Sequence, residues 1–376
     1  MKQKVLFIAT VLRGHLLAFH LPYMQWFQQQ GYEVHCCAGN DTGAEPPVVP
    51  YCDRYIEIDF KREPLQRANR KAYKQLKTLI DQEHYALIHC HTPVGAMLGR
   101  LAARKARRHG TRVCYTAHGF HFFTDAPIKY WLLYYTAERY LAHFTDLLIT
   151  INREDYDRAR HFAAKKVELV NGVGVDLALY SKKADRSAIR KQLGVNDDTP
   201  VFITVGEHIE RKNHAVCIRA LAALPDAVLV LCGIGQQEEM LRTLAQKLGI
   251  SDRVLFLGYC SNIAQLLQAA DVFVSPSLHE GLPVALMEAM AAGLPCVVSR
   301  VRGNSDLIVN NEGGYLYQPH DVDGFARGME ALSKDALLRT QFGDHNRNEV
   351  QKYSLPSVRI RMTELYREQL KLRGDA

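Results

Sequence analysis

Several absences narrow this sequence before any motif is read. No run of about 18 uncharged apolar residues occurs in its 376 positions, which argues against a membrane-spanning helix. Arg13 follows the apolar stretch Val5–Ala9 too soon for a secretory leader, so a cytoplasmic protein is expected. The nine cysteines are odd in number and include no C-x-x-C pair. Cys36, Cys90, Cys114, Cys232 and Cys296 lie inside apolar runs, where a thiol acts as a small hydrophobe, and a reducing compartment follows. G-x-G-x-x-G is missing, which disfavours a nicotinamide-binding first domain. Low-complexity segments are missing too.

What is present suits a globular chain of two middling domains: 47% hydrophobic and 23% charged residues, at a length too great for one ordinary core. Short apolar runs alternate with helical patterns. In the first half the expected strands are Val5–Ala9, Val34–Ala38, Ile56–Asp59, Leu87–His91, Val113–Ala117 and Leu147–Ile151. The helical patterns between them are Phe19–Gln30, Gln66–Gln82, Ala96–His109, Ile128–His143 and Arg153–Phe162. Near-continuous apolar strands alternating with helices predict an α/β fold whose parallel sheet is covered on both faces, with ligands at the carboxyl ends of the strands.

The polar, Gly-rich stretch Asn171–Pro200 reads as a linker with one short helix. The alternation then resumes with strands at Val201–Val205, Val228–Cys232, Val254–Leu257, Val272–Ser275 and Cys296–Val298. Helices at Asp321–Ser333, Lys334–Gln351 and Pro356–Leu372 close the chain. The division is therefore 1–170, a linker at 171–200, 201–352, and a terminal helix over 353–376.

Charge is uneven. Residues 1–170 carry 24 Lys and Arg against 16 Asp and Glu, or +8; the remainder carries 23 against 24, or −1. The excess concentrates in Lys61–Lys77 and Arg100–Arg112. No nucleic-acid motif accompanies it, so an anionic membrane surface is the expected partner, at roughly 1 kcal/mol per cation, with a solvated helix face as the alternative.

The stretch Ser275–Ser299 organises the rest. Glu280 and Glu288 stand on either side of a turn, Gly281-Leu282-Pro283-Val284, that becomes a helix. Proline suits a first helical position, and Gly293 followed by Pro295 ends the helix. Free N–H groups and the helix dipole at such a start favour an anion. The whole string resembles the signature of the retaining glycosyltransferases of family 4 (glycosyl transferases group 1), and the similarity extends over nearly the full length.

That resemblance implies the GT-B fold: two Rossmann-like domains facing across a cleft, with the C-terminal helix crossing back to the first. It implies an acceptor-binding first domain, a nucleotide-sugar-binding second domain, and a sugar passed from a UDP-sugar to a saccharide or undecaprenyl-diphosphate-linked acceptor in bacterial surface-polysaccharide synthesis. Glu280 would orient the donor sugar and Glu288 would hold the ribose. His118, at a strand end beside Gly119, would meet the reacting sugar. Gly14 and His15, after the first strand, would face acceptor and phosphates. Lys212, six past Gly206, would take the diphosphate. The family more often has Arg directly after that Gly; here it is Glu207, so Arg211 or another loop must supply a second cation. Gly233 and Gly235 would pass near the nucleotide, and the backbone at Tyr259 and Cys260 near the base. Asn304 and Asp306 would line the rim.

Two Asp-x-Asp strings occur, at Asp155-Tyr156-Asp157 and Asp321-Val322-Asp323. The first falls within a helical run that sends its acids to different faces, and the second caps a helix. No catalytic metal and no cofactor is expected. Two other readings stay open: a UDP-sugar 2-epimerase of the same architecture, and a non-catalytic nucleotide-binding partner subunit, which Glu207 prompts.

Overall fold

The structure, a computed structural model, describes residues 2–64, 66–182 and 184–371. The chain forms two compact units, Met1–Val173 with Val358–Ala376, and Gly174–Ser357.

The first unit is built on seven parallel strands: β1 (Lys4–Val11), β2 (Glu33–Gly39), β3 (Arg54–Glu57), β4 (Leu87–Cys90), β5 (Arg112–Ala117), β6 (Leu147–Thr150) and β7 (Lys166–Leu169), ordered β3-β2-β1-β4-β5-β6-β7. Strand side chains alternate between faces. Leu6 and Ile8 therefore join Leu76 and Ile80 of the helix Ala68–Glu83 on one face. Val5, Phe7 and Ala9 pack on the other with Met24 and Phe27 of Leu21–Gln29. The helix Leu355–Leu370 completes that second layer from Val358 onward, burying Met362, Leu365 and Tyr366. The Tyr366 hydroxyl also meets His89 Nδ1 at 2.7 Å. The expected helix end at Leu372 lies outside the described residues.

The second unit repeats the plan with six parallel strands: β8 (Val201–Val205), β9 (Val228–Cys232), β10 (Val254–Gly258), β11 (Val272–Ser275), β12 (Cys296–Ser299) and β13 (Gly314–Tyr317), ordered β10-β9-β8-β11-β12-β13. In both sheets the winding reverses beside the first strand, between β1 and β4 and between β8 and β11. That reversal is where open α/β sheets open a crevice at the strand ends.

Some expectations need correction. Two edge strands, β7 and β13, were not foreseen. The stretch Asn171–Pro200 is no plain linker: it carries two helices, Leu177–Ser181 and Arg186–Gln192, and from Gly174 it belongs to the second unit. Arg190 there is buried, bonded to Asp271 and to four backbone carbonyls. Pro283 is the residue before the helix Val284–Ala292 rather than its first. The helix expected over Ala96–His109 begins at Pro93 and divides into Pro93–Ala102 and Arg104–Arg108.

The basic segment Arg100–Arg112 is also less exposed than its composition implies. Arg100 is fully buried, forked onto Glu138 at 2.8 and 3.0 Å and stacked over Tyr115. Arg107 is tied to Asp146 at 2.9 Å. Arg104, Lys105 and Arg108 remain exposed. Among the described residues no helix is long and apolar enough to cross a membrane.

Candidate active site

In the second unit the chemistry gathers at the sheet reversal. β8 ends at Val205, and the chain turns through Gly206 into a short 3-10 turn, Glu210–Lys212. The Lys212 stem lies over Gly206, where a Cβ would come within 3.2 Å of its Cε. β11 delivers the opposite side: after Ser275 the chain runs to Glu280, which is 6% exposed. Lys212 Nζ stands 2.7 Å from Glu280 Oε1, and Arg211 NH1 stands 2.9 Å from Oε2. Arg302, also buried, donates from Nε to the Glu280 carbonyl at 2.8 Å. Burial alone would push the Glu280 carboxyl up. Lys212 and Arg211 outweigh it and hold the group below its ordinary value.

Beyond Glu280, Gly281, Leu282 and Pro283 lead into the helix at Val284, and no side chain caps its first turn. The positive end of its dipole is thus open beside two cations sharing one acid, a surplus suited to an anion. Glu288, one turn on, is shifted the other way. Burial raises its pKa, and the Tyr180 hydroxyl, donating to Oε1 at 2.5 Å, offsets that only in part. Tyr180 comes from the stretch expected as a linker, and nothing in the sequence pointed to it.

Glu207 is exposed, and Arg211 is the second cation beside Lys212. Gly233 and Gly235 have a reason inside the chain. A Cβ on Gly233 would lie 1.9 Å from the Gly206 carbonyl oxygen, and one on Gly235 would lie 2.4 Å from that of His208. These glycines let the turn after β9 close against the Lys212 loop, and Gly233 N–H reaches the Gly258 carbonyl at 2.7 Å. Tyr259, next in the chain, is 81% exposed. Asn304 is buried and bonded to Ser299, so it supports the turn rather than lining a rim.

In the first unit the carboxyl ends of β1, β4 and β5 bring imidazoles together. His15 sits in a π-helical turn, Leu12–Leu17, directly after β1. His91 follows β4, His118 follows β5, and His20 precedes the helix Leu21–Gln29. The His15 and His118 rings stand edge-on at 4.6 Å, and His20 lies 3.8 Å from His91 between centroids. Burial lowers all four pKa values, that of His15 to about 4, so the rings are neutral near pH 7. His20 and His91 escaped the sequence reading. The pair His89 and His91 of Leu87–His91 were a usable signal, since residues two apart on a strand share one face and His91 stands nearer the strand's carboxyl end.

One detail corrects the expectation for the loop after β1, and the Asp-x-Asp strings lie as expected. The Arg13 and Gly14 amides are not open to a phosphate; both donate to the Asp41 carboxylate, at 2.5 and 3.0 Å. Asp155, of the first Asp-x-Asp string, is buried and accepts from the Phe120 N–H at 3.0 Å, which anchors the His118 loop. Asp157 is exposed on another face, and Asp321 caps its helix by accepting from Gly324 N–H.

Comparison with known proteins identifies the family and the fold. Residues 185–349 match the family described as Glycosyl transferases group 1, and residues 23–178 match Glycosyltransferase Family 4. The chain is 40% identical over 374 residues to a Bacillus subtilis (strain 168) protein named as glycosyltransferase EpsD, covering 97% of each chain. It is 31% identical over 310 residues, 78% of this chain and 79% of the other, to an Escherichia coli UDP-Gal:alpha-D-GlcNAc-diphosphoundecaprenol alpha-1,3-galactosyltransferase. A solved structure of Anabaena Alr3699/HepE in complex with UDP shares the fold, with a TM-score of 0.78, 19% identity and coverage of 98% and 100%.

Proposed function

Because this chain belongs to the group 1, family 4 glycosyltransferases, with two Rossmann-like parallel-sheet domains, we propose that it moves a hexose or N-acetylhexosamine from a UDP-sugar to a lipid-linked saccharide, with retention at the anomeric carbon. The observation that carries this reading is the Lys212–Glu280–Arg211 cluster at the β8/β11 reversal, beside an uncapped helix start. It offers two cations and a helix dipole to a diphosphate, and Glu280, fixed as a carboxylate, to a sugar hydroxyl. Glu288 takes the ribose hydroxyls, with Tyr180 setting its rotamer.

As the glycosidic bond breaks, the anomeric centre becomes oxocarbenium-like and negative charge grows on the departing diphosphate. Groups aimed at that growing charge accelerate most, by about 3 kcal/mol each on the scale of an oxyanion-hole donor. Lys212 and Arg211 are the side chains for it. Attack from the leaving group's own face retains configuration, and the diphosphate takes the acceptor's proton. His118 serves the transferred sugar as a neutral imidazole. UDP as carrier and an undecaprenyl-diphosphate acceptor are supported by the Escherichia coli relative's named reaction.

A lipid acceptor also gives the first unit's surface a use. Ile128, Leu132, Leu133 and Tyr140 are all more than half exposed along residues 128–142, interleaved with Lys129 and Arg139. Tyr140 meets Phe144 edge-on, and Arg104 covers the Phe144 ring, so the exposed Arg104, Lys105 and Arg108 continue the same surface. Apolar groups flanked by cations suit peripheral contact with an anionic bilayer.

The test is incubation of purified protein with a panel of UDP-hexoses and UDP-N-acetylhexosamines, with and without undecaprenyl-diphosphate-linked saccharides. An acceptor-dependent product whose new linkage keeps the donor's anomeric configuration is expected. An epimerised nucleotide sugar formed without acceptor would replace this reading with a 2-epimerase. UDP binding with no turnover of any donor would replace it with a non-catalytic subunit.

A further inference from the structure

We propose that His15, His20, His91 and His118 together bind one divalent transition-metal ion of the zinc class. One ring nitrogen from each lies within 4.8 Å of the other three, the one such cluster of metal-binding side chains among the described residues. Two of the spacings are short: 3.2 Å between the Nε2 atoms of His15 and His20, and 3.5 Å between His118 Nε2 and His91 Nδ1. Zinc–nitrogen bonds of about 2.0–2.1 Å in a tetrahedron place neighbouring nitrogens roughly 3.3 Å apart. The pairs already stand at the edge length of such a tetrahedron.

Neither His20 nor His91 is committed outside the cluster: His20 Nε2 and His91 Nδ1 face other rings of the set, and the opposite nitrogens, His20 Nδ1 and His91 Nε2, are buried with no hydrogen-bond partner. His20 is 3% exposed and His91 is 0%. The neighbouring His89 is a useful contrast: both of its nitrogens are bonded, to Tyr366 and Thr116, and it stands outside the cluster. The four rings arrive from the ends of three adjacent strands and one helix start, so the backbone fixes them within one unit. His118, half-buried, supplies the access side.

The donor set decides the metal. Four imidazoles without a carboxylate suit Zn²⁺, Co²⁺, Ni²⁺ or Cu²⁺, whereas Mg²⁺ and Ca²⁺ want oxygen. This site is therefore not a holder for a sugar-nucleotide diphosphate. Its consequence is competition: a His118 bound to metal is withdrawn from the transferred sugar, so occupancy inhibits. That consequence rests on the function proposed above; the binding does not.

The experiment uses tag-free protein stripped with chelator and titrated with Co²⁺. Saturation at about one equivalent, with the intense visible bands of a tetrahedral nitrogen site, is expected, and Zn²⁺ should bleach them. His20→Ala and His91→Gln should each weaken Co²⁺ binding by about tenfold or more, at least the loss known for metal-site supporting groups. His89→Gln should leave it unchanged. No stoichiometric Co²⁺ binding by the wild-type chain overturns the proposal without any variant having to fold. So does binding that survives both variants. Transfer activity, measured separately with and without Zn²⁺, should fall when the site fills. Binding without inhibition would keep the site and remove the role given to His118.

Discussion

Lys212→Ala tests the anion site most directly. The substitution removes an ammonium 2.7 Å from Glu280 Oε1 and leaves Arg211 at 2.9 Å on Oε2. Glu280 therefore stays compensated, and the folded state loses one bond to a charged group, about 1.5–3 kcal/mol. The ~3–5 kcal/mol of a charge left alone in the interior does not apply. In the reaction the loss is different in kind. Charge on the departing diphosphate grows only as the bond breaks, so the missing cation should lower kcat ~100-fold or more, which is about 2.7 kcal/mol. Lys212→Arg should restore part of it.

The same variant has a pH signature. Glu280's pKa is lowered in the folded state from an ordinary value of 4.5, so its contribution to stability is present above that value. It disappears as pH falls through the folded value. Without Lys212 the opposing effect of burial gains weight and the folded pKa rises. The two proteins should differ in melting temperature at pH 7 and converge in acid, once both carboxyls are protonated. The assays are turnover at saturating donor and thermal unfolding across this range. A kcat within ~3-fold of wild type would remove Lys212 from the leaving-group site. A loss confined to KM would mean that it binds ground state and transition state alike.

Glu288→Gln and Tyr180→Phe should each weaken UDP-sugar binding by about tenfold, the worth of a charge-assisted hydrogen bond, with kcat less affected; unaltered calorimetric dissociation constants would contradict the ribose assignment. His118→Ala should abolish transfer while UDP still binds, and normal transfer would move the reacting centre elsewhere. Glu138→Ala should cost about 3–5 kcal/mol of stability by stranding Arg100, which denaturant unfolding reads directly. Ile128→Asp with Leu132→Asp should reduce co-sedimentation with anionic vesicles several-fold without touching turnover on a water-soluble acceptor.

The sequence exposed the centre of each sheet better than its rim, and the reason is burial. β1, β4, β5, β8, β9 and β11 are covered on both faces and read as continuous apolar runs. β7, with the sequence Lys-Val-Glu-Leu, lies at a sheet edge and is half-buried throughout, so its composition carries no such signal. β13 is short and begins with glycine. Glu280 and Glu288 stood out as candidates because a turn and a helix start stand beside them in the chain, and Lys212 because its place six past Gly206 resembles the family's pattern. Tyr180 was not, since it meets Glu288 across 108 residues of sequence. Arg100 misled for the same reason: within Arg100–Arg112 it looked like one more surface cation, and only the partner 38 residues away shows it to be interior.

Apart from the added edge strand β7, the two sheets share one strand order, so the sheet itself cannot explain why one reversal holds charges and the other holds neutral rings. The loops decide. After β8 the chain makes a single 3-10 turn that sets Arg211 and Lys212 beside the acid arriving from β11, and long side chains bridge the gap while keeping contact with solvent. After β1 it makes a wider π turn that turns His15 inward, where the ends of β4 and β5 have already placed His91 and His118. A charged side chain there would have no counter-ion among its ring neighbours and would bear the full penalty of burial, whereas neutral imidazoles are stable. Lysine at His15 should therefore destabilise the first unit, while the Lys212 loop depends on the ionised acid it faces. The division of labour between the halves follows from what each loop lets a side chain neutralise.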